Sequence, residues 1–125
     1  MYTIFIETRF SAAHSIQQYK GPCSELHGHT WKVRIQVRTE TTNRLGICMD
    51  FKDLKKISEQ VVHRLDHRHI NTIPPFDKIN PTAENLSRYI YDEIKKKLPD
   101  NVMIHRVTVW ESDSTGVSYS EDSHS

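Results

Sequence analysis

The pattern of this 125-residue chain predicts an α+β fold: a four-stranded antiparallel sheet with two helices on one face. Three observations predict it. Apolar and polar residues alternate near both ends of the chain. The middle carries two apolar stripes at helical spacing. Pro74, Pro75 and Pro81 break the chain between those stripes. The order is strand, strand, helix, helix, strand, strand, read as one domain over residues 1–120 with a polar, disordered tail over 121–125.

Each element has its own signal. Tyr2 to Phe10 alternates, with Ile4 and Ile6 on one side and Thr3, Phe5 and Glu7 on the other. Trp31 to Arg38 is the clearest strand: Trp31, Val33, Ile35 and Val37 share one face, and Lys32, Arg34, Gln36 and Arg38 the other. Thr39 to Gly46 reads as a turn. Asp50 caps a helix running to about Leu65, whose stripe is Phe51, Leu54, Ile57, Val61 and Leu65. Thr82 caps a second helix, with Glu84 in its first turn, Leu86, Ile90, Ile94 and Leu98 as its stripe, and Lys95, Lys96 and Lys97 at its end. Val102 to Glu111 is a strand with Val107, Val109 and Glu111 on one face, and Gly116 to Ser120 a short one. Such a sheet has two open edges, which joining between subunits would close.

Composition excludes several classes. Net charge is +1 with interspersed signs, so there is no nucleic-acid footprint. No apolar run approaches the roughly 20 residues that span a bilayer. Glu7 and Arg9 interrupt the apolar N-terminal stretch, which does not read as a signal peptide. Cys23 and Cys48 are therefore expected as free thiols in a reducing cytoplasm.

The unusual number is eight histidines. In His27-Gly28-His29, residues two apart face the same side of an extended chain, so both imidazoles can reach one ion. Gly28 is expected to let the backbone bend between them. His14 follows the first strand. If the first two strands pair, the loop from Ser15 to Leu26 returns beside it. Three histidines leave one tetrahedral position open, the pattern of a catalytic zinc. A lone His-x-His is more often an ordinary surface pair; the third histidine is what shifts the balance. Cys23, in a polar turn four residues before His27, would carry thiolate character beside a cation and serve as base, nucleophile or fourth ligand. Cys48, between Ile47 and Met49, reads as an inert small hydrophobe.

A second cluster is Leu65-Asp66-His67-Arg68-His69. Asp66 and His67 suit a proton relay, or merely hydrogen bonding at a helix end. His63 and His67, four apart, form a rival metal pair on a helix face. Glu111 ends an apolar strand, where a carboxylate can grip an amidine-like N–H edge by two hydrogen bonds, or simply be solvated.

Taken in order, His14, Cys23-Ser24-Glu25-Leu26-His27-Gly28-His29, Leu65-Asp66-His67, Pro81-Thr82-Ala83-Glu84-Asn85-Leu86 and Glu111 resemble the 6-pyruvoyl tetrahydropterin synthase family. Within it they look most like the compact branch that makes 6-carboxytetrahydropterin for 7-deazapurine and queuosine synthesis. The resemblance implies a tunnelling fold whose subunits join their sheets into a barrel, commonly a hexamer of two trimers, with active sites between subunits. It implies zinc on His14, His27 and His29, Cys23 as general base, and Asp66 and His67 as its relay. Glu111 would anchor the pterin, with Thr82 and Glu84 lining the pocket. The implied substrate is 7,8-dihydroneopterin triphosphate, converted with loss of triphosphate and acetaldehyde. Some relatives use a glutamate near Glu25 in place of the cysteine and cleave the side chain differently. The alternatives are the pyruvoyl-forming synthase and, from another class, a non-catalytic zinc-containing pterin- or purine-binding oligomer.

Overall fold

The first two strands set the frame of the molecule, which a computed structural model describes over residues 1–17 and 25–121. β1 (Tyr2–His14) and β2 (His27–Thr39) pair antiparallel along their whole length, from Tyr2 with Thr39 to His14 with His27. Both are longer than their alternating cores, because small residues at Ser11, Ala12 and Ala13 and the His27-Gly28-His29 run continue the ladder. α1 (Phe51–His63) follows, then a two-residue β3 (Arg68–His69) and α2 (Ala83–Lys95), then β4 (Met103–Trp110) and β5 (Gly116–Tyr119).

The sheet differs from the expected one. It has five strands in the order β3-β1-β2-β4-β5 and is mixed, because β3 runs parallel to β1. Two residues carry no periodicity, so this strand exists only because the chain leaving α1 is held against Ala12 and Ala13. Both helices also end earlier than their stripes suggest. α1 stops at His63 and continues as hydrogen-bonded turns in which Leu65 donates to Val62 and Asp66 to His63. α2 stops at Lys95, with Lys97 donating to Ile94 in a closing turn. Leu65 and Leu98 pack on the core from these turns rather than from helix.

Parity decides the layers. Ile6, Phe10, Ala12 and His14 of β1 point the same way as Trp31, Val33, Ile35 and Val37 of β2 and Val107 and Val109 of β4, and all are buried. α1 packs on β1, α2 on β4 and β5, and Leu54, Leu86, Ile90 and Ile94 close the core at no exposure. Burying side chains of this size stabilises each by about 1.5–3 kcal/mol. The opposite face is polar: Glu7 binds Arg34 at 2.6 Å and Lys32 at 3.2 Å, and Arg34 lies over Phe5 and Trp110. No helix is long and apolar enough to cross a membrane. Cys48 is a half-buried free thiol; Cys23 and the tail beyond Glu121 lie outside the described residues.

Candidate metal centre

The same parity that buries Trp31 delivers three histidines and one acid to a single point. His14 ends β1 directly opposite His27, and Ala12 stands opposite His29. Direct partners in an antiparallel pair face the same side, so His14, His27 and His29 project together from the helix-covered face. Glu111 stands one residue past the end of β4 and two after Val109, which pairs with Val33, and its side chain joins that face. One ligand atom from each of the four lies within 4.8 Å of the others, the one such group of metal-binding side chains found among the described residues.

The ring orientations are imposed by their surroundings. His14 Nδ1 lies 2.7 Å from the Pro81 carbonyl oxygen and His27 Nδ1 2.7 Å from the Glu25 carbonyl oxygen. A carbonyl only accepts, so both Nδ1 atoms carry the proton and both Nε2 atoms turn a lone pair inward. Trp31 forms the floor, fully buried, in T-shaped contact with His14 and His29 at ring-centroid separations of 4.9 Å and 5.3 Å. Its indole N–H reaches the Ala12 carbonyl at 3.4 Å and its ring stacks on Phe10. Burial holds the His14 and His29 imidazoles below their ordinary range of protonation; Pro81 partly offsets this for His14, and Glu111 for His29. Neutral imidazoles are the ligating form.

The residues fit a zinc ion. Nε2 of His14 and Nε2 of His29 are buried without a hydrogen-bond partner, a costly arrangement unless something binds there. His29 Nε2 is 3.1 Å from Glu111 Oε1, but the approach is not aligned as a hydrogen bond. Imidazole nitrogens with one carboxylate make a donor set zinc accepts.

The chain after His14 is clamped by two asparagines that imitate strand partners. Asn71 takes the Ser15 N–H at 2.9 Å and returns a bond to its carbonyl, and Asn80 does the same for Gln17. Asn85 then donates to the Asn80 carbonyl at 2.8 Å. The Pro81-Thr82-x-Glu84-Asn85 run is thus scaffolding for the histidine cluster: Pro81 aims His14, and Thr82 caps α2 by accepting from Asn85 N. Thr82 spends its hydroxyl oxygen on that cap, and Glu84 is exposed on the first turn of α2, outside the cluster. Sequence reasoning missed Pro81, Asn71, Asn80 and Trp31 as supports. A backbone carbonyl and a loop amide leave no signature of their own, although Pro81 and Trp31 stood inside recognised runs.

Two further expectations change. Gly28 sits in regular strand opposite Ala13, and a Cβ there would meet only the Ala12 carbonyl oxygen at 4.0 Å, so no bend requires glycine. The His63–His67 pair is not on one helix face, because α1 ends at His63 and His67 adopts φ 56°. Asp66 and His67 lie at the β1 edge, apart from the His/Glu group. Asp66 Oδ1 accepts from Ser11 N at 2.8 Å, and Oδ2 contacts His67 Nδ1 at 3.1 Å. The Ser11 amide, with His67 beside it, holds the Asp66 carboxyl below its usual range. The left-handed backbone of His67 is locked by its N–H bonding to the Ser11 carbonyl, and its side chain is 82% exposed. A non-glycine residue held there is a strain found at functional positions.

Comparison with known proteins gives the chain's family and fold. The sequence pattern of 6-pyruvoyl tetrahydropterin synthase matches residues 3–122. A dihydroneopterin monophosphate aldolase of Pyrococcus furiosus is 39% identical over 91% of this chain and 93% of its own length. A putative 6-carboxy-5,6,7,8-tetrahydropterin synthase of Archaeoglobus fulgidus is 38% identical over 88% of each. The structure of the Caenorhabditis elegans 6-pyruvoyl tetrahydropterin synthase superposes with a TM-score of 0.85 at 26% identity, over 95% of this chain and 94% of that one.

Proposed function

The chain belongs to the 6-pyruvoyl tetrahydropterin synthase family, and from that premise we propose that it is a zinc-dependent 6-carboxy-5,6,7,8-tetrahydropterin synthase. It would take 7,8-dihydroneopterin triphosphate and water to the carboxypterin, triphosphate and acetaldehyde. The observation that carries the reading is the inward convergence of His14, His27 and His29, with the proton-bearing nitrogens of His14 and His27 spent on carbonyls. The name of the Archaeoglobus relative favours the carboxy-forming branch, and a cysteine four residues before His27 favours a cysteine base over a glutamate one.

When bound, zinc supplies Lewis-acid polarisation of the substrate's side-chain hydroxyls. The chain's own residues do the rest. The Cys23 thiolate removes the proton from the side-chain carbon next to the ring. Asp66, oriented by the Ser11 amide, holds His67 as the relay that carries that proton onward. The exposure of His67 suits service to a site on an adjacent subunit, in a hexamer whose sheets join into a barrel. Glu111 fixes the pterin by its N–H edge. The electrons that reduce the ring come from the side chain itself, so no nicotinamide is needed.

A specific observation supports a second reading. Glu25 stands two residues from His27, and the Pyrococcus relative bears the name of a monophosphate aldolase. In that reading Glu25 replaces Cys23 as base, and the bond between the first and second side-chain carbons breaks to give a hydroxymethyl pterin and a two-carbon phosphate. Mass-spectrometric product analysis of zinc-loaded protein, given the triphosphate and the monophosphate separately, tests both. 6-Carboxytetrahydropterin with acetaldehyde, lost in Cys23→Ala, is the expected result. A hydroxymethyl product lost in Glu25→Gln transfers the protein to the aldolase reading. A pyruvoyl product assigns the sister synthase, and zinc binding with no turnover leaves a pterin-binding oligomer.

A further inference from the structure

We infer that Glu111 is a displaceable metal ligand: its carboxylate closes the coordination sphere in the substrate-free protein and is released from it when a pterin ring binds. The inference rests on the reading of His14, His27 and His29 as the zinc ligands, and adds a role to the ring-anchoring one.

Distances come first. Glu111 Oε1 lies 3.1 Å from His29 Nε2, 3.8 Å from His14 Nε2 and 4.0 Å from His27 Nε2. Four ligands at tetrahedral zinc bond lengths stand about 3.3–3.6 Å apart. The three distances bracket that range, so one carboxylate oxygen stands a few tenths of an ångström from the position that three histidines leave over.

Electron pairs come second. His14 and His27 have committed their N–H groups to Pro81 and Glu25, so both present lone pairs to the carboxylate. His29 offers no aligned hydrogen bond. Acceptors facing one another repel, and a cation among them removes the repulsion.

Release is also built in. The backbone of Glu111 is held where β4 turns to β5, its N–H donating to the Thr115 carbonyl at 3.1 Å. The side chain is 31% exposed and can change rotamer without moving that turn. The N–H pair of a pterin edge offers the carboxylate a bidentate, charge-assisted partner in exchange. No proton need move: the carboxylate leaves the ion as the anion it was. Ring recognition would thereby open the metal to the substrate's hydroxyls, and the resting ion would be shielded from water.

The test uses the full chain loaded with zinc or cobalt(II). Zinc X-ray absorption of the unmodified protein, which needs no variant, should show three imidazoles and one carboxylate oxygen. Chelator competition should give Glu111→Ala and Glu111→Gln about 10–100-fold weaker zinc binding. The visible spectrum of cobalt protein should differ between wild type and Glu111→Ala. Saturating pterin, the bare ring, should move the wild-type spectrum toward that of the variant. Unchanged affinity and spectra in folded variants, or no pterin-induced shift, overturn the inference and leave the three-histidine site standing. Failure of the wild type to take up zinc overturns the site itself.

Discussion

Ala12 and Ala13 pair with Arg68 and His69, so the two histidine clusters flank the same end of β1, yet they are built in opposite ways. His14 is buried, its ring aimed by Pro81 and floored by Trp31, with its partners supplied by β2 and β4. His67 is exposed, held by one acid and by a strained backbone, and faces outward. The first cluster draws all four of its potential metal-binding side chains from one chain. In the second, Asp66 contacts an exposed His67, which suits the service to an adjacent subunit proposed above. Rigid orientation, more than burial, is the property the two share.

The largest effect that can break this comparison is on metal binding. His29→Ala should lower zinc affinity by more than about 100-fold, beyond what supporting residues cost. His67→Ala should leave it unchanged by chelator competition; zinc loss in His67→Ala would merge the two clusters. Next in size is turnover. His67→Gly should reduce kcat by about 10²–10⁴-fold, the range of a lost acid–base group. It should also raise stability by roughly 0.5–1 kcal/mol in urea unfolding, because glycine adopts φ 56° without strain. A variant both less active and less stable would deny the strain argument.

Smaller effects sharpen the contrast. Asp66→Ala should cost about 1.5 kcal/mol at neutral pH, by removing the carboxylate from the Ser11 amide. The Asp66 carboxyl is lowered from 3.8, so its contribution is fully present above that pH and is lost as pH falls through the folded-state value. The stability gap between wild type and Asp66→Ala should therefore narrow in strongly acidic urea titrations; a gap independent of pH would contradict the assignment. Thr82→Ala should cost about 1 kcal/mol by uncapping α2. It should also weaken zinc measurably through Pro81, by less than about tenfold.

Periodicity alone determined much. The alternation of Trp31, Val33, Ile35 and Val37 and the stripes of α1 and α2 assigned the helix-covered face, since burial in one layer demands period 2 in strands and 3.6 in helices. The clustering of His14, His27 and His29 was legible because the same parity carries beyond the apolar stretch. β3 was not legible, because two residues make no pattern and only the turn after α1 brings them to β1. The helix ends were overextended because Leu65 and Leu98 keep the apolar spacing after the hydrogen-bonded ladder stops. Tertiary structure also decided the tautomers of His14 and His27. Those depend on backbone carbonyls of Pro81 and Glu25, atoms that every residue possesses and no side-chain code announces. The place of Glu111 among the histidines was decided in the same way: its parity was written in β4, but its distance to them exists only once β1, β2 and β4 lie side by side.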